Sequence, residues 1–386
     1  MKTSIARVLL AAGMTLIGTL HADDHQTTYS VTNLGSLGGT SSGANSIDNR
    51  GWASGFSNLP GDATTHAALW REGTLTDLGT LGGPNSVVGW PVKNNRGIIS
   101  GFAETNAIDP FGENWSCSAF FPSVTHHTCL GFVWENGVMR ALPTLGGNNG
   151  FATGSNNSGH VVGWAENTVH DPTCVAPQVL QFRAVVWAPD GTPQELPPLP
   201  GDSTSSATAI NDRGQVVGIS GICDRSVGRF SARHAVLWDH GTVTNLGNLG
   251  GAAWNTAMSV NEHGDITGFA NTATGSAGGF HAHAFLWTEK DGIRDLGTLP
   301  GHAISEGLGI NSRGQVVGMS CSAGFAVCHA FLWDNGVMTD LNSPDVTSYN
   351  GTLVFANDIN DAGEIAGGAF DASTSTSVAF VATPGR

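Results

Sequence analysis

Positive charge is scarce in this sequence. Its 386 residues hold 16 Lys and Arg against 31 Asp and Glu, and Lys2, Lys93 and Lys290 are the only lysines. Neutralising phosphates takes clustered basic side chains, so a nucleic-acid role is excluded, and an anionic membrane surface is disfavoured for the same reason. Tyrosine occurs twice, at Tyr29 and Tyr349, which leaves few phenols for chemistry. No stretch sustains a 3.6-residue apolar period with caps, so an α-helical fold is excluded. After residue 20 no apolar run is long enough to span a bilayer, which takes roughly 20 residues. The zinc-protease HExxH, the GxSxG elbow, phosphate-binding Gly loops and the EF-hand loop are all missing.

The N-terminus has its own pattern. Lys2 and Arg7 precede the apolar run Val8–Leu20, and Ala22 stands before Asp23 and Asp24. That order predicts a signal peptide over 1–22, hence a secreted protein, extracellular or periplasmic, with 14 basic and 31 acidic residues left after cleavage. No Cys follows the run to carry a lipid. Neither a membrane span nor a metal or other cofactor is expected.

What is abundant is Gly, 54 residues of it, and it is spaced regularly. The segment INDRGQVVGIS (Ile210–Ser220) returns as INSRGQVVGMS (Ile310–Ser320), and five weaker copies start at residues 47, 93, 155, 260 and 359. A second unit, HAFLW-like, begins at His66, Leu130, Arg183, His234, His283, His329 and Val378. A third, V-T-N-L-G-like, occurs seven times, first at Val31. Each period therefore holds four short strands: A (S-x-A-x-x-I-N), B (V-V-G-x-S), C (H-A-F-L-W) and D (V-x-D-L-G). An Asx at 48, 94, 156, 211, 261, 311 and 360, with Gly three residues on, predicts a side-chain-bonded A–B turn with Gly at positive φ.

The Asx spacings are 46, 62, 55, 50, 50 and 49 residues, near the ~40–50 of a propeller blade. The chain reaches its first repeat in strand D and ends in strand C, so its two ends complete one blade. The expected fold is all-β: a seven-bladed β-propeller of four-stranded antiparallel blades, one domain over 23–386, with the N-terminal strand closing the last blade. Insertions at 104–129, 166–182 and 221–233 lengthen three B–C connections.

The run HAFLW…G…DLGTLGG…A…IN…GQVVG resembles the extracellular HAF-type repeat of bacterial secreted proteins, over essentially the whole chain after the leader. The resemblance implies propeller-forming repeats and brings no catalytic motif. More loosely, the A–B unit is similar to the turn of TolB-type propeller repeats, which implies that A is innermost. Blades 2 and 3 depart from the pattern, with VKNN and GSNN at the apolar position.

The tempting residues mostly have structural readings. His66, His234, His283 and His329 occupy equivalent positions in different blades and cannot form one metal site. They are expected to pack between blades with a satisfied imidazole. The Trp residues at 70, 134, 187, 238, 287 and 333 are expected in the core. His281 and His283 share a strand face but lack a third metal ligand. Six Cys in an exported chain read as three disulfides: Cys117–Cys129, Cys321–Cys328, and Cys174–Cys223 between adjacent blades.

Loop variation on a uniform scaffold points to the B–C end as the working face. It carries Asp109, Glu113, Trp115, His126, His127, His170, Asp171, Arg225, Arg229, Arg233 and Tyr349. These suit an extracellular polysaccharide or a protein partner bound by a monomer. The first expectation is a binding or scaffold protein. The second is a carbohydrate-active enzyme, either a hydrolase using Asp109 or Glu113 with Asp171, or a lyase using Tyr349.

Overall fold

A computed structural model describes residues 27–385 apart from 114, 227 and 276–278; the expected signal peptide lies outside the described residues. Seven four-stranded antiparallel sheets form a β-propeller. Blade 1 runs Ser42–Ile47, Ala53–Asn58, Thr65–Arg71 and Thr74–Asp77 as strands A to D. Blade 2 is Gly82–Val87, Ile99–Ile108, His127–Glu135 and Val138–Ala141; blade 3 is Gly146–Ser155, Val161–His170, Leu180–Trp187 and Pro193–Leu196. Blade 4 is Thr204–Ile210, Val216–Gly221, His234–Asp239 and Thr242–Asn245; blade 5 is Gly250–Val260, Ile266–Thr272, Ala282–Thr288 and Gly292–Gly297. Blade 6 is Ile304–Ile310, Val316–Cys321, Cys328–Asp334 and Val337–Asp340. Blade 7 combines Thr352–Ile359, Ile365–Asp371 and Thr376–Pro384 with Tyr29–Asn33 as its outer strand, paired from Tyr29↔Pro384 to Asn33↔Phe380.

The Asx turns form as expected. In each blade the Asx oxygen accepts two turn N–H groups, as Asn211 Oδ1 does from Arg213 at 3.1 Å and Gln215 at 3.0 Å. The Gly that follows has positive φ, for example 80° at Gly214. The same carboxamides have a second task. Asn156, Asn211, Asn261, Asn311 and Asn360 each donate Nδ2 to the Asx carbonyl of the next blade, at 2.9–3.1 Å. The A strands of neighbouring blades touch around the axis, so these bonds form a belt at its mouth.

The histidines correct the packing expectation. Each takes its partner from strand D of its own blade: His66 Nδ1 lies 2.9 Å from Asp77, His283 3.0 Å from Asp295, and His329 2.7 Å from Asp340. The reason is register, since the His and the Asp of D-L-G meet across the C–D hairpin. Blade 3 replaces the pair with Arg183 and Glu195, 3.6 Å apart, and blade 2 loses both, having Leu130 and Ala141. Two repeat motifs are thus one interaction. Contacts between blades fall instead to the Ser of strand A. Ser86 Oγ accepts from Ala67 N at 2.8 Å, and Ser305 Oγ from Ala284 N at 2.8 Å, both in the preceding blade.

All three expected disulfides are present. The insertions are less loop-like than expected. In blades 2 and 3 strands B and C run on, pairing Ile108 with His127 and His170 with Leu180. Lys93, at the irregular apolar position of blade 2, pairs with the buried Asp358 of blade 7 and donates to Ile359 O at 2.9 Å.

Removing residues 27–36 should strip the outer strand from blade 7 and leave the last strand as an open edge. Thermal unfolding followed by circular dichroism, with light scattering, should then show aggregation or a broad transition. Unchanged melting would contradict closure by the N-terminal strand.

Candidate functional site

Antiparallel connection sorts the loops by end. A–B and C–D turns lie on one face, and B–C and D–A connections on the other. The two faces differ in chemistry. Among the described residues twelve large hydrophobic side chains are exposed, and only Val138 and Val337 belong to the turn face. Nine others (Ile108, Phe111, Phe120, Val124, Val169, Val175, Phe325, Val327, Phe370) lie towards the B–C end, and Phe355 is in the middle of strand A of blade 7.

Below that apolar surface the predicted acids are turned inward, which corrects their reading as surface groups. Asp109 and Glu113 are 5% and 1% exposed. Asp109 Oδ1 accepts from Phe111 N at 2.8 Å and Glu113 N at 3.0 Å, forming its own turn, while Oδ2 takes Asn149 Nδ2 at 2.7 Å. Glu113 Oε1 accepts from Val179 N at 2.8 Å and from Leu180 N, so it ties the blade 2 insertion to blade 3. Asp171, also buried, is held by Thr173 Oγ1 at 2.6 Å and Gln181 Nε2 at 3.2 Å. Burial would raise its carboxyl, but hydrogen bonds from Ser203, Thr173 and Gln181 outweigh that and hold it low.

Sequence reasoning missed Glu166, the fully buried centre of this cluster. Its Oε2 accepts from Asn149 N at 2.8 Å, and its Oε1 from Gln178 Nε2 at 2.9 Å. Burial pushes its carboxyl up to about 8, and the charges of Glu113 and Asp109 add to the effect against those hydrogen bonds. Glu113 is raised as well, mainly by burial. A signal existed. AETN and AENT put Glu104 and Glu166 at one blade position, and Glu104 is buried too, held by Asn85 at 2.8 Å.

The remaining candidates are dispersed. His126 is exposed at φ 61°, and His127 Nδ1 lies 2.7 Å from Thr105 O. His170 is exposed and meets the Phe111 ring edge-on at 5.5 Å. Arg225 is exposed, and the Arg229 guanidinium lies 4.5 Å from the Phe230 ring centroid. Arg233 precedes strand C of blade 4, and the Trp115 side chain lies outside the described residues. Tyr349 packs against the core cluster of blade 7, and burial raises its phenol, with the Asp371 charge adding to this. No group of three His, Cys, Asp or Glu residues suited to a metal ion occurs among the described residues, and His283 is engaged by Asp295.

Concave sites lie on the turn face. The axial mouth, about 100 Å³, is lined by the Asx belt and by Asn49, Asp212, Glu262 and Asp361. A groove of about 360 Å³ separates blades 2 and 3, and one of about 580 Å³ separates blades 4 and 5. No helix of the described residues is long and apolar enough to cross a membrane.

No protein-family model matches the chain, and no curated protein matches it. Among solved structures it is similar to dipeptidyl peptidase 4 of Porphyromonas gingivalis, at 11% identity and TM-score 0.39 over 86% of this chain and 51% of that one. It is similar to the acylaminoacyl peptidase of Pyrococcus horikoshii, at 10% identity and TM-score 0.43 over 84% and 48%. A streptogramin B lyase gives 12% identity and TM-score 0.48 over 92% and 98%. The chain spans about half the length of the two peptidases. At such values none of these likenesses brings a site or an activity to this chain.

The raised acids make stability depend on pH. A carboxyl that titrates near 8 in the fold but near 4.5 unfolded contributes fully below the lower value, and its contribution is lost as pH climbs through about 8. The melting temperature should therefore fall between about pH 5 and about pH 8.5, and Glu166→Gln should flatten that fall. The residual slope belongs to Glu113, Glu262 and Asp358, all raised mainly by burial, and to Glu306, which burial raises to about 7. An identical pH profile in the variant would contradict the assignment to Glu166.

Proposed function

We propose that this chain is a secreted binding protein that docks a protein or peptide partner on its B–C face. The observation that carries the reading is the segregation of exposed apolar side chains, nine of twelve, to that end. Concentrated apolar surface marks interaction sites rather than chance exposure. The surface is rich in Val, Ile and Phe, while the acids that would take sugar hydroxyls or protonate a glycosidic oxygen are enclosed. A hydrolase of the paired-carboxylate kind needs both groups open to substrate, and Asp109, Glu113 and Asp171 are buried. Tyr349, the phenol expected for a lyase, packs against the core of blade 7. Those two facts weigh against an enzyme on this face.

The disulfides support the same reading. All three brace B–C segments, and holding loops in place before contact reduces the ordering cost of binding. Export in the manner the leader predicts suits their formation.

Panning the mature protein against a displayed random-peptide library, beside an array of polysaccharides, tests the proposal. Peptides with apolar or aromatic anchors should be enriched. The double variant Val124→Ser, Val327→Ser, at two of the more exposed positions, should bind them about tenfold or more weakly, with melting nearly unchanged. Retention of polysaccharides on this face and of no peptide would overturn the assignment.

A further inference from the structure

The Trp of the HAFLW unit is buried in blades 1, 2, 3, 4 and 6, as Trp70, Trp134, Trp187, Trp238 and Trp333. Trp287 in blade 5 is the exception and remains partly exposed. The others show how the indole is normally closed off. Trp187 Nε1 donates to Pro143 O at 2.9 Å, and Trp238 Nε1 to Pro197 O at 2.7 Å, each in the connection leading from the preceding blade. Trp333 lies under Arg294 of blade 5, whose guanidinium carbon is 5.4 Å from the ring centroid. Arg294 pairs with Leu286 across its hairpin, and the residue at the same register in blade 4 is Thr244, opposite Leu237. Thr244 does not extend over the next blade's indole, as Arg294 does; in blade 1 Thr76 holds the same register and the following Trp134 is still buried, so the opening at Trp287 is a property of blades 4 and 5 together. Where an arginine would lie over Trp287 there is the groove of about 580 Å³ lined by Thr244 and Trp287, within the ~300–1,000 Å³ range of ligand sites.

The polar lining of the groove is already organised. Gln215 Nε2 donates to Asp239 Oδ2 at 3.1 Å, and Arg213 donates to Gln215 Oε1 at 2.5 Å. These bonds orient a planar amide, a carboxylate and a guanidinium beside an indole. Lys290 stands at the same groove with Asp265 and Glu289. Three carboxylates against two cations leave no excess positive charge, so a phosphorylated or polyanionic ligand finds no counter-charge there. A pyranose ring has the complementary chemistry. Its C–H face is apolar and flat enough to lie on an indole, and its hydroxyls radiate in the ring plane towards donors and acceptors.

We propose that the groove between blades 4 and 5 is a binding site for a neutral, pyranose-containing glycan, with Trp287 as the stacking platform and Gln215, Asp239 and Arg213 as hydroxyl partners. The site lies on the turn face, opposite the surface proposed for a protein partner, and is independent of that reading.

Isothermal titration of the mature protein with soluble neutral oligosaccharides (cello-, laminari-, manno- and chito-hexaose) tests it, with trigalacturonate as the acidic control. Two variants divide the outcomes. Trp287→Ala removes the platform, and Thr244→Arg supplies the cover that Arg294 gives Trp333. Both should weaken binding of the neutral sugar about tenfold or more, and Thr244→Arg should leave melting unchanged or raised. Should Trp287→Ala fail to fold, Thr244→Arg alone decides. Wild-type protein that binds no neutral oligosaccharide at millimolar concentration, that binds only trigalacturonate, or whose affinity survives Thr244→Arg would overturn the proposal.

Discussion

One side-chain amide, repeated around the axis, carries the architecture. An Asx after strand A closes its own turn by accepting two backbone N–H groups. In blades 3 to 7 its amide also donates to the carbonyl of the following blade's Asx, as Asn211 does to Asn261 at 3.0 Å. A buried neutral hydrogen bond contributes about 0.5–1.5 kcal/mol net, and leaving its buried partners unpaired costs more. The consequence is geometric as well as energetic. Each turn can hold its shape only while its neighbour holds position, so a local motif becomes a ring constraint. Blades 1 and 2 mark the exceptions, and Asn94 reaches blade 3 through Ser155 Oγ at 2.8 Å instead. Asp48 cannot donate, and its second oxygen turns to Arg50 at 2.6 Å, while Asn360 donates to Asp48 O at 2.9 Å. The belt therefore crosses the join where the two chain ends share blade 7.

A rigid turn face frees the other one. The same four strands that keep A–B turns uniform leave B–C connections unconstrained, and there the chain places its insertions, its disulfides and most of its exposed apolar residues. Blade-to-blade variation over a fixed frame yields an apolar surface at one end and, between blades 4 and 5, an open groove beside Trp287 at the other.

The ring was legible in the sequence because a repeat multiplies a weak local signal. Asx-x-x-Gly is a poor predictor once, but seven copies at blade spacing fix strand count and closure. The histidines show what remained hidden. His66 and Asp77 lie in two separately recognised motifs, and their pairing follows from C–D register, which the hairpin alone sets. The paired exchange to Arg183 and Glu195 was the available clue. The candidate acids were read from loop position, which gives the face and not the orientation. Asp109 and Glu113 point inward because the lengthened strands of blades 2 and 3 bring Asn149, Gln178 and the backbone of Leu180 beneath them. Those contacts cross 40 or more residues of sequence, so no local pattern reports them.

The central claim is that the Asx belt makes seven blades one cooperative unit. Native-state amide hydrogen exchange, resolved to the turn glycines Gly159, Gly214, Gly264, Gly314 and Gly363, tests this most directly. These amides should exchange only with global unfolding and together with the inner strands, although they sit in turns at the surface. Exchange of the turn amides as fast as the B–C loops, or separate opening of single blades, would contradict the account.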